Sequence, residues 1–170
     1  MNGEPTSMSE LLQRRWKEGK LPAVEGVVFD SGVVEELDFD SSGWFARGTP
    51  PLRRGRRTDL AAWAAQNELW VMVNGWQLDL PAHDLRLDHG EGGNGADGFL
   101  AASGLRDGRL RWAAFFTTSN PFEELEMDGD VAVVTSNLDH VWRFPLQHPE
   151  QVTVDVSADP GAHFKRTALG

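Results

Sequence analysis

Three times along the chain a turn dipeptide stands between two strand-like runs. Asn74-Gly75 divides LWVMV from WQLDL, Asp107-Gly108 divides AASGLR from RLRWAAFF, and Asp128-Gly129 divides EELEM from DVAVV. Both central residues of a type I′ turn need positive φ, which Asn-Gly and Asp-Gly adopt at little steric cost. The repetition predicts an antiparallel sheet built of hairpins, with each dipeptide as a two-residue tip. Alternation agrees with this. Leu110, Trp112, Ala114 and Phe116 share one face of a strand, as do Trp142, Phe144 and Leu146 with Arg143 opposite. Val152, Val154 and Val156 alternate with Gln151, Thr153 and Asp155, and Leu37 and Phe39 oppose Glu36, Asp38 and Asp40. Roughly eight to ten short strands are expected, as in a sandwich or a strongly bent sheet.

Two short helices are expected in the N-terminal third. In TSMSELLQRRWKEGK, Ser7 caps the start with Glu10 three residues on, Leu11, Leu12 and Trp16 form an apolar stripe, and Gly19 ends the helix. In TDLAAWAAQNE, Thr58 or Asp59 caps an alanine-rich turn pair. TPPLRRGRR between them reads as irregular, because Pro50, Pro51 and Gly55 interrupt it. The fold class is therefore α+β, predominantly antiparallel sheet. Residues 1–156 read as one domain and 157–170, where periodicity ends, as a loose tail.

Composition narrows function by exclusion. The 170 residues contain no cysteine, so no disulfide, thiolate metal site or cysteine nucleophile exists. The formal net charge is −10, and the whole excess falls after residue 57. An acidic surface repels phosphate backbones and anionic lipid, and attracts basic proteins. The first 20 residues lack a secretory pattern, and no stretch approaches the run of about 18 apolar residues that spans a bilayer. A cytoplasmic protein without membrane or nucleic-acid partners is expected. No motif implies a cofactor.

GGNGADGFL, residues 92–100, resembles one repeat of the calcium-binding nonapeptide β-roll family, G-G-x-G-x-D followed by x, a large apolar residue and x. The resemblance implies a calcium turn. One repeat supplies only half a coordination shell, however, and Asp97 is the motif's only carboxylate, with Asp88 and Glu91 just before it. The stretch is therefore read as a glycine-rich loop. His83 and His89 lie too far apart on a strand to share a metal, so no metal site is expected.

Two surfaces are candidates for function. The first is acidic: Glu36, Asp38 and Asp40 on one strand face, and Glu123, Glu124 and Glu126 on another strand. Charges this dense either solvate a face or dock a basic partner. The basic run Arg53, Arg54, Arg56 and Arg57 is expected to pair with carboxylates of the same chain. The second is a rim built on the repeated Thr-Ser-Asn. An up-down-up run of strands at 109–119, 123–127 and 130–136 would bring Ser119 and Asn120 beside Ser136 and Asn137, with Asp139 and His140 following. Such a rim could hold a small ligand or a catalytic group, or serve only as turn chemistry. It has no nucleophile elbow, and no catalytic residue is assigned. Trp44 and Trp76, beside expected turns, are candidates for partial exposure and hence for binding. The leading reading is a non-catalytic module that binds a basic protein, of the immunity or antitoxin kind. The alternatives are a small-ligand-binding sandwich or a small enzyme at the rim.

Overall fold

The computed structural model describes residues 7–40, 52–66, 69–136 and 140–156. Two α-helices fall among them, α1 (Met8–Lys17) and α2 (Leu60–Gln66). The strands are β1 (Lys20–Pro22), β2 (Gly26–Phe29), β3 (Val33–Phe39), β4 (Leu52–Asp59), β5 (Trp70–Met72), β6 (Asn74–Leu80) and β7 (Leu85–Glu91). They continue as β8 (Gly98–Gly104), β9 (Leu110–Phe116), β10 (Phe122–Asp128), β11 (Val131–Ser136), β12 (His140–Pro145) and β13 (Thr153–Val156). A seven-stranded sheet has the order β4-β3-β2-β9-β8-β7-β6, a four-stranded sheet the order β10-β11-β12-β13, and β1 pairs with β5. Every pairing is antiparallel.

The small sheet covers one face of the large one. Between them lies a core of Val27, Leu37, Leu87, Leu100, Trp112 and Phe116 meeting Phe122, Val134, Trp142 and Phe144. Trp142 is its centre, with Phe39 and Phe116 each 4.8 Å from its ring and Phe122 at 5.2 Å. The other face of the large sheet carries α1, α2 and the β1–β5 ribbon, which bury Leu12, Leu21, Leu60 and Trp63 on Val28, Val34, Phe99, Ala101 and Phe115. Strands β8 and β9 face both cores, which explains why FLAAS and WAAFF are nearly continuous apolar runs. A register shift between Ala102 and Ser103 moves Leu110 into the helix-side core, away from Trp112, Ala114 and Phe116 with which its alternation had grouped it.

The helices start as the capping signals require. The Ser7 hydroxyl accepts from the Glu10 amide at 3.2 Å, and the Asp59 carboxylate from the Ala62 amide at 2.8 Å. Gln13 then ties α1 to the sheet. Its amide donates to the Leu110 carbonyl and accepts from the Leu110 N–H, both at 2.8 Å, as a neighbouring strand would.

Five expectations are corrected. Asn74-Gly75 is not a hairpin tip. The run before it pairs with β1, and Asn74 and Gly75 are the first residues of β6, opposite Glu91 and Gly90. Glycine is needed there for approach rather than for φ: a Cβ on Gly75 would stand 1.9 Å from the His89 carbonyl oxygen. Asp107-Gly108 lies in a true hairpin, β8–β9, but the loop is longer, closed by Gly108 N–H to Gly104 O at 2.8 Å and by the Asp107 carboxylate accepting from Arg109 N–H at 3.0 Å. In the β10–β11 hairpin Asp128 pairs with Val131, so the tip is Gly129-Asp130, with positive φ at Gly129 alone. LRRGRR, expected to be irregular, forms most of strand β4, because β3 offers it a carboxylate ladder: Glu35 pairs with Arg57 and Asp38 with Arg53. Finally, β9 is not in one meander with β10 and β11. The chain crosses between sheets after Phe116, and the meander is β10 to β13. Trp44, Pro50, Pro51 and residues 157–170 lie outside the described residues.

The two kinds of glycine should respond differently to a methyl group. Gly108 has φ +70° and open space around it, so Gly108→Ala should cost about 1–2 kcal/mol. Gly75→Ala must part the β6–β7 ladder and should cost about 3 kcal/mol or more. Denaturant midpoints at unchanged m-value decide between them.

Candidate functional site

Strand β6 closes one end of the large sheet, and its first half is exposed. Trp76 stands on it with 57% of its surface accessible. Beside the indole opens a cleft of about 360 Å³ lined by Asn74, Gly75, Trp76, Glu91, Pro121 and Glu123. The two sheets meet here, since β10 packs against β7 and β8. Among the described residues the lining holds two carboxylates, Glu91 and Glu123.

A buried histidine stands behind the indole. The His89 ring lies 5.6 Å from Trp76, tilted by 31°, and is 5% exposed. Its Nδ1 is 2.8 Å from the Phe122 carbonyl, which requires the proton on Nδ1. Burial lowers the His89 pKa from its ordinary 6.5, outweighing this hydrogen bond and the nearby Asp88. His89 thus supports Trp76 as a neutral ring and links the large sheet to the small one.

On the opposite face of β6, Gln77 donates to the Asp88 carboxylate at 3.0 Å, and Arg86 grips Asp79 at 2.7 and 3.3 Å. A groove of about 290 Å³ runs here, with Trp16, Lys17, Gln77, Arg86, Asp88 and Ser103 in its lining. Burial raises the Asp88 pKa, opposed by the bond from Gln77 and by Arg86.

The acidic row on β3 is largely matched within the chain, as expected of the arginine run. Glu36 lies 3.4 Å from Arg56 and Glu35 3.5 Å from Arg57. Glu36 and Asp38 do border a shallow groove of about 300 Å³, together with Glu25 and Trp63. Glu25 is held there by the Thr117 amide at 2.5 Å, and burial raises its pKa. Asp40 is exposed just beyond β3. On β10, Glu124 and Glu126 pair with Thr135 and Val133, and Glu123 falls at the register shift that turns it toward the cleft.

Phe122 pairs with Ser136, so both Thr-Ser-Asn copies reach the same end of the small sheet. The two serines and His140 lie inside, whereas Asn120 is half-buried and Thr118 exposed. Ser119 and Ser136 are fully buried and His140 is 2% exposed, its ring 5.9 Å from Phe39. The Ser119 hydroxyl donates to the Asn120 carbonyl at 2.9 Å, and Asn120 adopts φ 62°. Asn137 and Asp139 lie outside the described residues. The loop at residues 92–97 is closed by its own carboxylate: Asp97, 2% exposed, accepts from the Gly92 amide at 2.8 Å. Among the described residues no group of three or more His, Asp or Glu side chains could hold a metal.

Sequence reasoning singled out Trp76 and Glu123 but missed Glu91 as their neighbour. Only the pairing of β6 with β7, and of β10 beneath them, joins the three. No family model matches the chain, and no curated protein or solved structure is significantly similar to it. No described helix is long and apolar enough to cross a membrane.

Two expectations test this geometry. The stability that a neutral, buried His89 confers is complete above its ordinary 6.5 and is lost as pH falls from there through the lower folded value. His89→Phe cannot take up that proton, so its unfolding free energy should vary less than wild type between about pH 7 and 5. Asp97→Ala leaves the Gly92 amide without its acceptor and should cost about 1–3 kcal/mol in thermal or denaturant unfolding.

Proposed function

We propose that the protein is a non-catalytic binding module that takes a basic protein partner at its acidic surface, in the manner of an immunity or antitoxin protein. The observation that carries this reading is Trp76. An indole more than half exposed, held by a buried histidine and bordered by Glu91 and Glu123, suits a lysine or arginine side chain. The ring face attracts the cation, and the two carboxylates add charge beside it. The row at Glu36 and Asp38 is the weaker docking point, since Arg56 and its neighbours already face it. It contributes to the field that steers encounter. The small-ligand alternative finds its best support in the groove beside Gln77 and Asp88, where one Asp88 oxygen is buried without a hydrogen-bond partner.

A titration of the whole protein with an oligo-arginine peptide, followed by tryptophan fluorescence, tests the reading. Trp76→Ala should abolish most of the signal change and weaken binding by about 1–2 kcal/mol. Charge reversal at Glu91 and Glu123 should slow association, and the effect should shrink as salt rises. Binding that ignores salt and all three substitutions refutes it.

A further inference from the structure

The large sheet ends differently at its two sides. Strand β4, at one end, carries Arg53, Arg54, Arg56 and Arg57, and its pairing with β3 is broken by a register shift. Charge and irregularity are the usual guards against edge-to-edge pairing. Strand β6, at the other end, has neither. It holds no lysine, arginine or proline, and pairs with β7 over seven consecutive residue pairs without a bulge. Its one carboxylate, Asp79, is held sideways by Arg86. Among the described residues no strand lies on its outer side, so there the outward main-chain N–H and C=O groups of a seven-residue strand face no partner strand. An edge this long and regular is a pairing template.

Resting on the function proposed above, we infer that the basic partner binds as an extended segment, adding to β6 as an eighth strand of the large sheet. Strand periodicity dictates what such a segment needs. Trp76 and Gln77 point to opposite faces of β6, so consecutive residues of the added strand point alternately to the cleft and to the groove. On the cleft side a residue beside Trp76 meets the indole, Glu91 and Glu123. On the groove side the next residue meets Gln77, with Asp79 and Asp88 nearby. Arg86 already faces both of these carboxylates and Lys17 lines the same groove, so the charge complement lies on the cleft side, and a segment with arginine or lysine at every second residue fits it. A second copy of this chain is the poorer occupant, because β6 against β6 would set the carboxylates of two clefts along one seam.

The test uses the whole protein and two peptides, one alternating arginine with threonine and one of the same sequence N-methylated at every second residue. The unmodified peptide should slow hydrogen exchange of the amides in β6. Methylation of the edge facing the protein should weaken binding by about tenfold or more, the loss expected of a few main-chain hydrogen bonds. Equal affinity for both peptides, with unchanged exchange in β6 and a fluorescence response still dependent on Trp76, overturns strand addition and leaves a partner held by charge and the indole. No response to either peptide at low salt removes both readings. A dimer seen by sedimentation without peptide, with β6 amides protected in it, makes a second copy the occupant and overturns the inference.

Discussion

Strands β8 and β9 are covered on both faces, and both cores depend on that. Leu100, Ala102, Trp112, Ala114 and Phe116 belong to the core beneath the small sheet, while Phe99, Ala101, Leu110, Ala113 and Phe115 belong to the core beneath the helices. Removing either layer would expose one face of the central strands to water. At about 25 cal/mol per Å² of apolar surface, neither layer is dispensable to a domain of ordinary marginal stability. The alanines at 101, 102, 113 and 114 keep the middle of the sheet thin enough for large rings to close in from both sides, Trp142 from one and Trp63 from the other.

This double cover also decides what remains accessible. The layers protect the centre of the large sheet and leave its ends. At β4 the arginines meet Glu35 and Glu36, which neutralises much of the acid on β3. At β6 one such pair stands, Arg86 with Asp79, and the edge carries the most exposed tryptophan among the described residues. His89 connects the edge to the core: one face of its ring supports Trp76 and its Nδ1–H holds the first residue of β10. The site is thus an extension of the sandwich, built on two paired strands and tied to the small sheet through His89.

Much of the architecture was legible because it rests on local rules. Ser7 and Asp59 cap helices wherever an amide needs an acceptor, and the Asp128-Gly129 region turns because glycine tolerates positive φ. The misreadings also have one cause, which is that pairing partners are distant in sequence. Asn74-Gly75 has the composition of a tip, yet β5 finds its partner fifty residues upstream in β1 and β6 finds its own in β7. LRRGRR has the composition of a loop, yet a strand of alternating carboxylates makes a strand of it. The two Thr-Ser-Asn copies do meet at one end of the small sheet, but their serines are buried there rather than presented on a rim.

By itself, then, the sequence determined the class of fold, the helix starts and the acid excess, whereas Trp76 is exposed because β6 is an edge strand and not because a turn adjoins it. The first three follow from propensity, period or composition, which act within a few residues. The tertiary structure alone decided which carboxylates meet arginine and which meet tryptophan. Glu36 and Glu123 are chemically the same group. One lies across a ladder from Arg56, and the other at a register shift beside an open edge. That difference is set by strand order, and strand order depends on which apolar faces can be buried together, a property of the whole chain rather than of any segment.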